Sequence, residues 1–194
     1  SKFERINRLP PYIFSEINSL KIKLRSEKKD IIDFGMGNPD MPTPLHIRQK
    51  LKEVIDKPGV GRYSVSKGIN GLRKAQAKYY KKRFNVDLNP SSEIIVTIGS
   101  KEGLANLAQA ITSRGDRILC PDPSYPVHPY GFMIAGAKLT PLQTFFNGQF
   151  DKNKFLLNIV NNLKKYSSIK VIIVSFPSNP TAQIVDLDFY KELV

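Results

Sequence analysis

From residue 93 onward the sequence alternates between short apolar runs and stretches with helical spacing, and this alternation limits the fold more than any other feature. Residues 93–98, 117–120, 138–142 and 170–176 read as strands, rich in Ile, Val and Leu. Residues 101–112, 125–136 and 154–165 read as helices, and Leu187 opens another. Strands separated by helices imply parallel pairing with right-handed crossovers, hence an α/β architecture. Ligands of such sheets lie beyond the C-terminal ends of the strands. Three chemically suggestive stretches fall there: Gly99-Ser100-Lys101, Asp122-Pro123-Ser124-Tyr125-Pro126 and Pro177-Ser178-Asn179-Pro180-Thr181.

The first of these has its own logic. Gly99 permits a sharp turn after the apolar run, and Leu104, Leu107, Ala108 and Ile111 then follow at helical spacing. The N–H groups of a helix start, backed by the helix dipole, favour an anion. Ser100 adds a hydroxyl and Lys101 a positive charge. A plain helix with Ser100 as its N-cap is the competing reading. Tyr125, between prolines, is either core packing or a ring open to a cleft. Asn179 before Pro180 either makes a simple turn or belongs to a cis bond kept for a purpose.

Composition excludes several classes. The chain carries 30 Lys and Arg against 17 Asp and Glu, a formal charge of +13, which raises the question of nucleic acid or an anionic membrane. The basic residues are spread over all polar faces. The densest group, Lys78, Lys81, Lys82 and Arg83, shares its helix with Tyr79, Tyr80 and Phe84, as a solvated face beside an aromatic core stripe would. No helix-turn-helix, zinc or RNA-recognition signature accompanies the charge, so no nucleic acid partner is expected. No apolar run is long enough for a transmembrane helix, and the start has no signal-peptide pattern. Cys120 is the only cysteine, which excludes an internal disulfide and suits a cytoplasmic location. His46 and His128 lack metal-ligand spacing, and no metal is expected.

The first 90 residues are less regular. Pro10 and Pro11 precede a helix to about Leu24, and residues 31–34 form a short strand candidate. Residues 45–57 and 72–84 read as helices, with an exposed loop at 62–68. The turn-rich link at 85–92 separates an N-terminal arm and small-lobe segment (residues 1–90) from the first part of a larger α/β domain (residues 91–194).

Five motifs occur in order: Gly35-Met36-Gly37-Asn38-Pro39-Asp40, Tyr63-Ser64-Val65-Ser66-Lys67-Gly68, Thr97-Ile98-Gly99-Ser100-Lys101-Glu102-Gly103, Pro121-Asp122-Pro123-Ser124-Tyr125-Pro126-Val127-His128 and Pro177-Ser178-Asn179-Pro180-Thr181-Ala182. Together they make the chain resemble the class I/II aminotransferases, the fold-type-I pyridoxal-phosphate enzymes. The bacterial alanine (glutamate–pyruvate) subgroup is the most similar. The resemblance implies an incomplete three-layer αβα large domain with a mostly parallel sheet, and pyridoxal 5'-phosphate as cofactor. Ser100 and Lys101 match the helix-start pair that holds the cofactor phosphate. Tyr125 matches the aromatic residue stacked on the pyridine ring, and Asn179 the asparagine bonded to the ring's phenolic oxygen. Gly37 matches a glycine beside the substrate carboxylate. Tyr63 matches a tyrosine that reaches the phosphate of a neighbouring subunit, which implies a homodimer.

The same resemblance expects further residues after the Asn179 motif. They are an aspartate for the pyridine nitrogen, a tyrosine, the Schiff-base lysine, a phosphate-binding arginine and an arginine for the substrate carboxylate. None has a counterpart in residues 1–194, so no catalytic residue is assigned, and Lys67 and Lys101 match other positions. The expectation is the N-terminal half of an aminotransferase, truncated or split. Alone it would be inactive, with an amino acid and a 2-oxo acid as substrates and a complementary half or second subunit as partner. A non-catalytic remnant is the alternative.

Overall fold

The computed structural model describes residues 3–35 and 37–194; Met36 of the first glycine motif lies outside the described residues. Two compact units form. One spans Thr97–Val194 together with the N-terminal segment up to Pro10, and the other spans Pro11–Val96.

The first unit holds α1 (Glu4–Asn7), α5 (Ser100–Ile111), β1 (Arg117–Asp122), α6 (Val127–Ala135), β2 (Lys138–Gln143), β3 (Phe145–Phe146), β4 (Gln149–Phe150), α7 (Lys152–Lys165), β5 (Ile169–Ile172) and α8 (Leu187–Leu193). The second holds α2 (Ile13–Ser26), α3 (Leu45–Ile55) and α4 (Asn70–Phe84). Strands β2, β1 and β5 form a parallel sheet in that order, with Arg117 opposite Lys138 and Asp122 opposite Gln143.

The central strand explains the layers. Ile118 and Cys120 point to one face and meet Ala108 of α5 and Phe132 of α6. Leu119 points to the other and meets Phe155 and Ile159 of α7 and Phe189 of α8. A parallel strand covered on both faces therefore reads as an unbroken apolar run. The register of β5 slips between Ile169 and Val171, so Ile169 and Ile172 face α7 and α8 while Val171 faces α5 and α6. Helices α7 and α8 each begin with an aspartate cap. Asp151 accepts from the Lys154 N–H at 3.0 Å, and Asp186 from the Phe189 N–H at 2.8 Å. The Lys154 amide bond is the main cause that holds the Asp151 carboxyl below its usual range.

In the second unit Gly68 is held close to Val96: at φ +84° a Cβ there would sit 2.3 Å from the Val96 side chain. The Val96 N–H donates to the Lys67 carbonyl at 3.1 Å, and Arg73 donates to the carbonyls of Gly68 and Pro90.

Several expectations need correction. Residues 93–98 form no strand. A strand exists through its neighbour's backbone, and no described segment runs beside this one as a ladder. Residues 31–34 form none either; Asp33 instead accepts from the Gly35 N–H and pairs with Lys21, both at 2.9 Å, and these contacts lower its pKa, the Gly35 bond most. The aromatic stripe on α4 is not core. Tyr79, Tyr80 and Phe84 remain exposed and pack on one another at the helix end. The sequence reading also passed over the β3–β4 hairpin. Its turn is Asn147-Gly148, both at positive φ, a pair that favours two-residue hairpins. Among the described residues no helix is long and apolar enough to cross a membrane.

Cys120 is 2% exposed, and burial pushes its thiol up to about 11, against a hydrogen bond with Ser124 that lowers it. A raised pKa stabilises the fold below the ordinary value of 9.0 and loses that contribution as pH rises towards 11. Cys120 should therefore resist a thiol reagent at pH 8 in native buffer and react fully in denaturing urea. Equal rates in the two conditions would show the thiol to be accessible.

Candidate active site

The site is built where β1 and β5 end. Strand β1 runs into Pro123, Ser124, Tyr125 and Pro126 before α6 begins. Beyond β5 the chain continues to Phe176 and then closes a turn on itself: Ser178 N–H donates to the Gln183 carbonyl at 2.9 Å, Ala182 N–H donates to the Ser178 carbonyl at 2.8 Å, and the Ser178 and Thr181 hydroxyls are bonded to each other. Asn179 stands exposed at the tip of this turn. The bonds Asp122–Pro123, Phe176–Pro177 and Asn179–Pro180 are cis. The two loops flank a small hollow lined by Pro121, Pro123, Thr144, Phe150, Ser178 and Thr181.

Helix α5 starts beside the first loop. Its N-cap is Gly99, at φ +85°, and not Ser100, which is the first helical residue. Gly99 has no side chain to cap the helix, and a Cβ placed there would meet nothing within 4 Å. Glu102 turns back to accept the Ile98 N–H, outside the helix. The Lys101 ammonium lies 5.6 Å from the centroid of the Tyr125 ring, within cation–π range. The start of α5 and the Tyr125 ring are thus within one side chain's reach.

This arrangement fits a ligand that joins a phosphate to an aromatic ring. A helix start without a side-chain cap, an exposed Ser100 and the Lys101 charge suit the anion. The half-buried Tyr125 ring suits the aromatic part. A wider basin at the other end of α5, lined by Arg5, Arg8, Gln109, Arg114 and Gly136, is less suitable. Two helix C-termini end there, with carbonyl dipoles unfavourable to an anion, and Glu4 already pairs with Arg8 and Arg114.

Of the six residues read from sequence, Ser100, Lys101, Tyr125 and Asn179 belong to the first unit. Gly37 and Tyr63 belong to the second. Tyr63 is fully exposed, and a Cβ on Gly37 would meet nothing within 4 Å.

Two residues of this region escaped the sequence reading. His128, which closes one of the quoted motifs but is noted there only as lacking metal-ligand spacing, stands edge-on to Tyr125, with ring centroids 5.9 Å apart and an interplanar angle of 82°. It is half-buried, and desolvation lowers its pKa, which favours the neutral ring. Its position three residues after Tyr125, at the start of a helix, was the available signal. Thr144 is 6% exposed, and its hydroxyl donates to the Asp122 carbonyl at 2.8 Å. Nothing local in the sequence marked it.

Comparisons with known proteins identify the family and the fold. The profile of the aminotransferase class I and II family matches residues 29–194. The glutamate–pyruvate aminotransferase AlaC of Escherichia coli is 46% identical over 198 residues, covering 100% of this chain and 46% of AlaC. The LL-diaminopimelate aminotransferase of Aquifex aeolicus is 40% identical over 192 residues, covering 98% of this chain and 48% of that enzyme. Among solved structures, a single mutant of Thermus thermophilus aspartate aminotransferase superposes with a TM-score of 0.86 at 25% identity, covering 100% of this chain and 48% of that one. Aspartate aminotransferase of Thermotoga maritima gives 0.84 at 27% identity, covering 100% and 50%. The chain spans about half the length of the curated relatives it matches. Enzymes of this family depend on pyridoxal 5'-phosphate. With a matching family profile over most of its length and relatives at 40–46% identity, the chain belongs to the class I and II aminotransferases.

Proposed function

We propose that this chain supplies the phosphate seat and the ring-facing residues of a pyridoxal-phosphate-dependent aminotransferase. The reaction is amino-group transfer between an amino acid, alanine in the first instance, and a 2-oxo acid. The observation that carries this reading is the Lys101–Tyr125 contact, which sets an aromatic plate beside the start of α5. When bound, the cofactor supplies an electron-withdrawing ring that stabilises negative charge on the substrate. The Ser100 hydroxyl and the first amides of α5 would hold its phosphate, with Lys101 adding charge. Tyr125 would fix the plane of the ring, and the Asn179 amide would donate to its phenolic oxygen. The backbone at Gly37 would lie beside the substrate carboxylate. Tyr63 would serve the phosphate of a second subunit in a homodimer. Residues 1–90 would form the arm and small-lobe segment, and residues 91–194 the first part of the cofactor-binding domain.

The residues that carry the chemistry itself have no matching position in residues 1–194. We therefore place them on further chain, continuous or separate, that completes the site. Exposed apolar side chains such as Ile98, at 93%, favour such a partner over a remnant that works alone. The lone buried thiol suits the cytoplasm.

Titration with pyridoxal 5'-phosphate tests the seat. Hydrogen bonds to charged groups contribute roughly 1.5–3 kcal/mol, so Ser100→Ala should weaken binding about tenfold or more. Tyr125→Ala should weaken pyridoxal phosphate while leaving inorganic phosphate binding intact. Equal affinity in wild type and both variants would overturn the assignment.

A further inference from the structure

We propose that Thr144 and His128 are positioning residues that hold the Tyr125 ring in the orientation in which it meets the cofactor, an inference that rests on the function proposed above. The loop carrying Tyr125 is short and contains Pro123 and Pro126, neither of which has an N–H to tie it down. Backbone bonds from α6 to the Tyr125 and Pro126 carbonyls hold its far end, and side chains supply the rest of its anchorage.

Thr144 provides the first anchor. The β1–β2 ladder ends with Asp122 opposite Gln143. One residue further, the Thr144 hydroxyl continues the pairing by donating to the Asp122 carbonyl at 2.8 Å. The residue is 6% exposed, between Gln143 and Phe145 in sequence, where a valine would satisfy packing alone. A hydroxyl at such a site costs desolvation unless it is bonded, and its bond goes to the last residue of β1, from which the loop leaves. Thr144 also shares a hollow with Pro123, Ser178 and Thr181. It therefore lies beneath both the Tyr125 loop and the Asn179 loop. A second tie, between Cys120 Sγ and Ser124 Oγ at 3.3 Å, holds the residue before Tyr125.

His128 provides the lateral support. Its backbone N–H donates to the Tyr125 carbonyl at 2.9 Å, which closes the turn into α6. Its ring meets Tyr125 in a T-shaped contact at 82°, while Lys101 lies over the Tyr125 ring face. An edge contact of this kind limits rotation of the ring without covering both faces. Neither residue needs to touch the ligand for this role.

Two measurements on the chain test the proposal. The first needs no ligand: NMR of protein with isotope-labelled tyrosine rings, Tyr125 being assigned through Tyr125→Phe. Thr144→Val and His128→Ala should move the Tyr125 ring signals towards those of free tyrosine. Thr144→Ser and His128→Phe, which keep the hydroxyl and the ring edge, should hold them near their wild-type positions. Unchanged signals in Thr144→Val and His128→Ala overturn the proposal. In the second, Thr144→Val and His128→Ala should bind pyridoxal phosphate about fivefold more weakly, with inorganic phosphate within twofold of wild type. Equal losses for both ligands would indicate general loosening and also overturn it. If wild type and Tyr125→Ala bind pyridoxal phosphate alike, the cofactor reading fails, and the ring signals still decide whether Thr144 and His128 hold Tyr125.

Discussion

Purified by itself, the polypeptide of residues 1–194 is expected to show no turnover of alanine and 2-oxoglutarate, and to lose added pyridoxal phosphate on dialysis. The contacts proposed above for the cofactor are a phosphate seat at Ser100, a ring plate at Tyr125 and the Asn179 amide. No lysine of the chain matches the position that would tether it, and Lys101 is engaged over the Tyr125 ring. A few hydrogen bonds to an exposed anion give only weak affinity once the cost of immobilising the ligand is met. The backbone of residues 93–98 is without ladder partners, and Ile95 and Ile98 are exposed beside it. An apolar segment of this kind, with isolated bonds at Val96 and Ile98 in place of a ladder, favours association with a complementary chain, or aggregation. Adding a polypeptide that carries the remaining family motifs should restore turnover and retain the cofactor absorbance. Sustained turnover by the monodisperse 194-residue chain, with nothing added, would refute the proposed division of residues.

The largest effect on stability is expected from Phe189→Ala. Phe189 is 0% exposed and meets Phe155, Phe176 and Tyr190, with ring centroids 6.1, 5.4 and 5.3 Å away. Truncating a buried phenylalanine removes its transfer free energy and leaves a cavity, typically about 3–5 kcal/mol. Because α8 docks on the sheet largely through this ring, the loss falls on the face that also holds Phe155 and Leu119. Against an overall stability of roughly 5–15 kcal/mol, the urea midpoint should drop sharply. Phe189→Leu, which keeps most of the apolar volume, should lose much less. A midpoint for Phe189→Ala within experimental error of wild type would mean that α8 is not fixed by its aromatic cluster.

Much of the fold was legible because it is local. Helices α5, α6 and α7 begin within about two residues of where spacing put them, since periodicity and turn residues are read along the chain. The run Ile118-Leu119-Cys120 declared a strand; Ala108 and Phe132 cover one of its faces, and Phe155 and Phe189 the other. The glycine before Ser100 announced the helix start for the same reason: only a residue without Cβ accepts φ +85° at no cost.

The failures share the opposite cause. Residues 93–98 have the composition of a strand, but a strand needs a partner's backbone, and no residue within the run can specify one. Tyr79, Tyr80 and Phe84 have the spacing of a core stripe, but burial depends on what lies opposite, which is set by distant chain. The sequence by itself therefore determined the α/β class, the helix that opens at Ser100, and the motifs that carry the family. The tertiary structure decided that Gly99, not Ser100, caps that helix, that Lys101 meets Tyr125, and that His128 stands against the same ring. It alone brought Thr144 to Asp122 across 22 residues of chain, because a hydrogen bond between the ends of two parallel strands exists only after the crossover between them has folded.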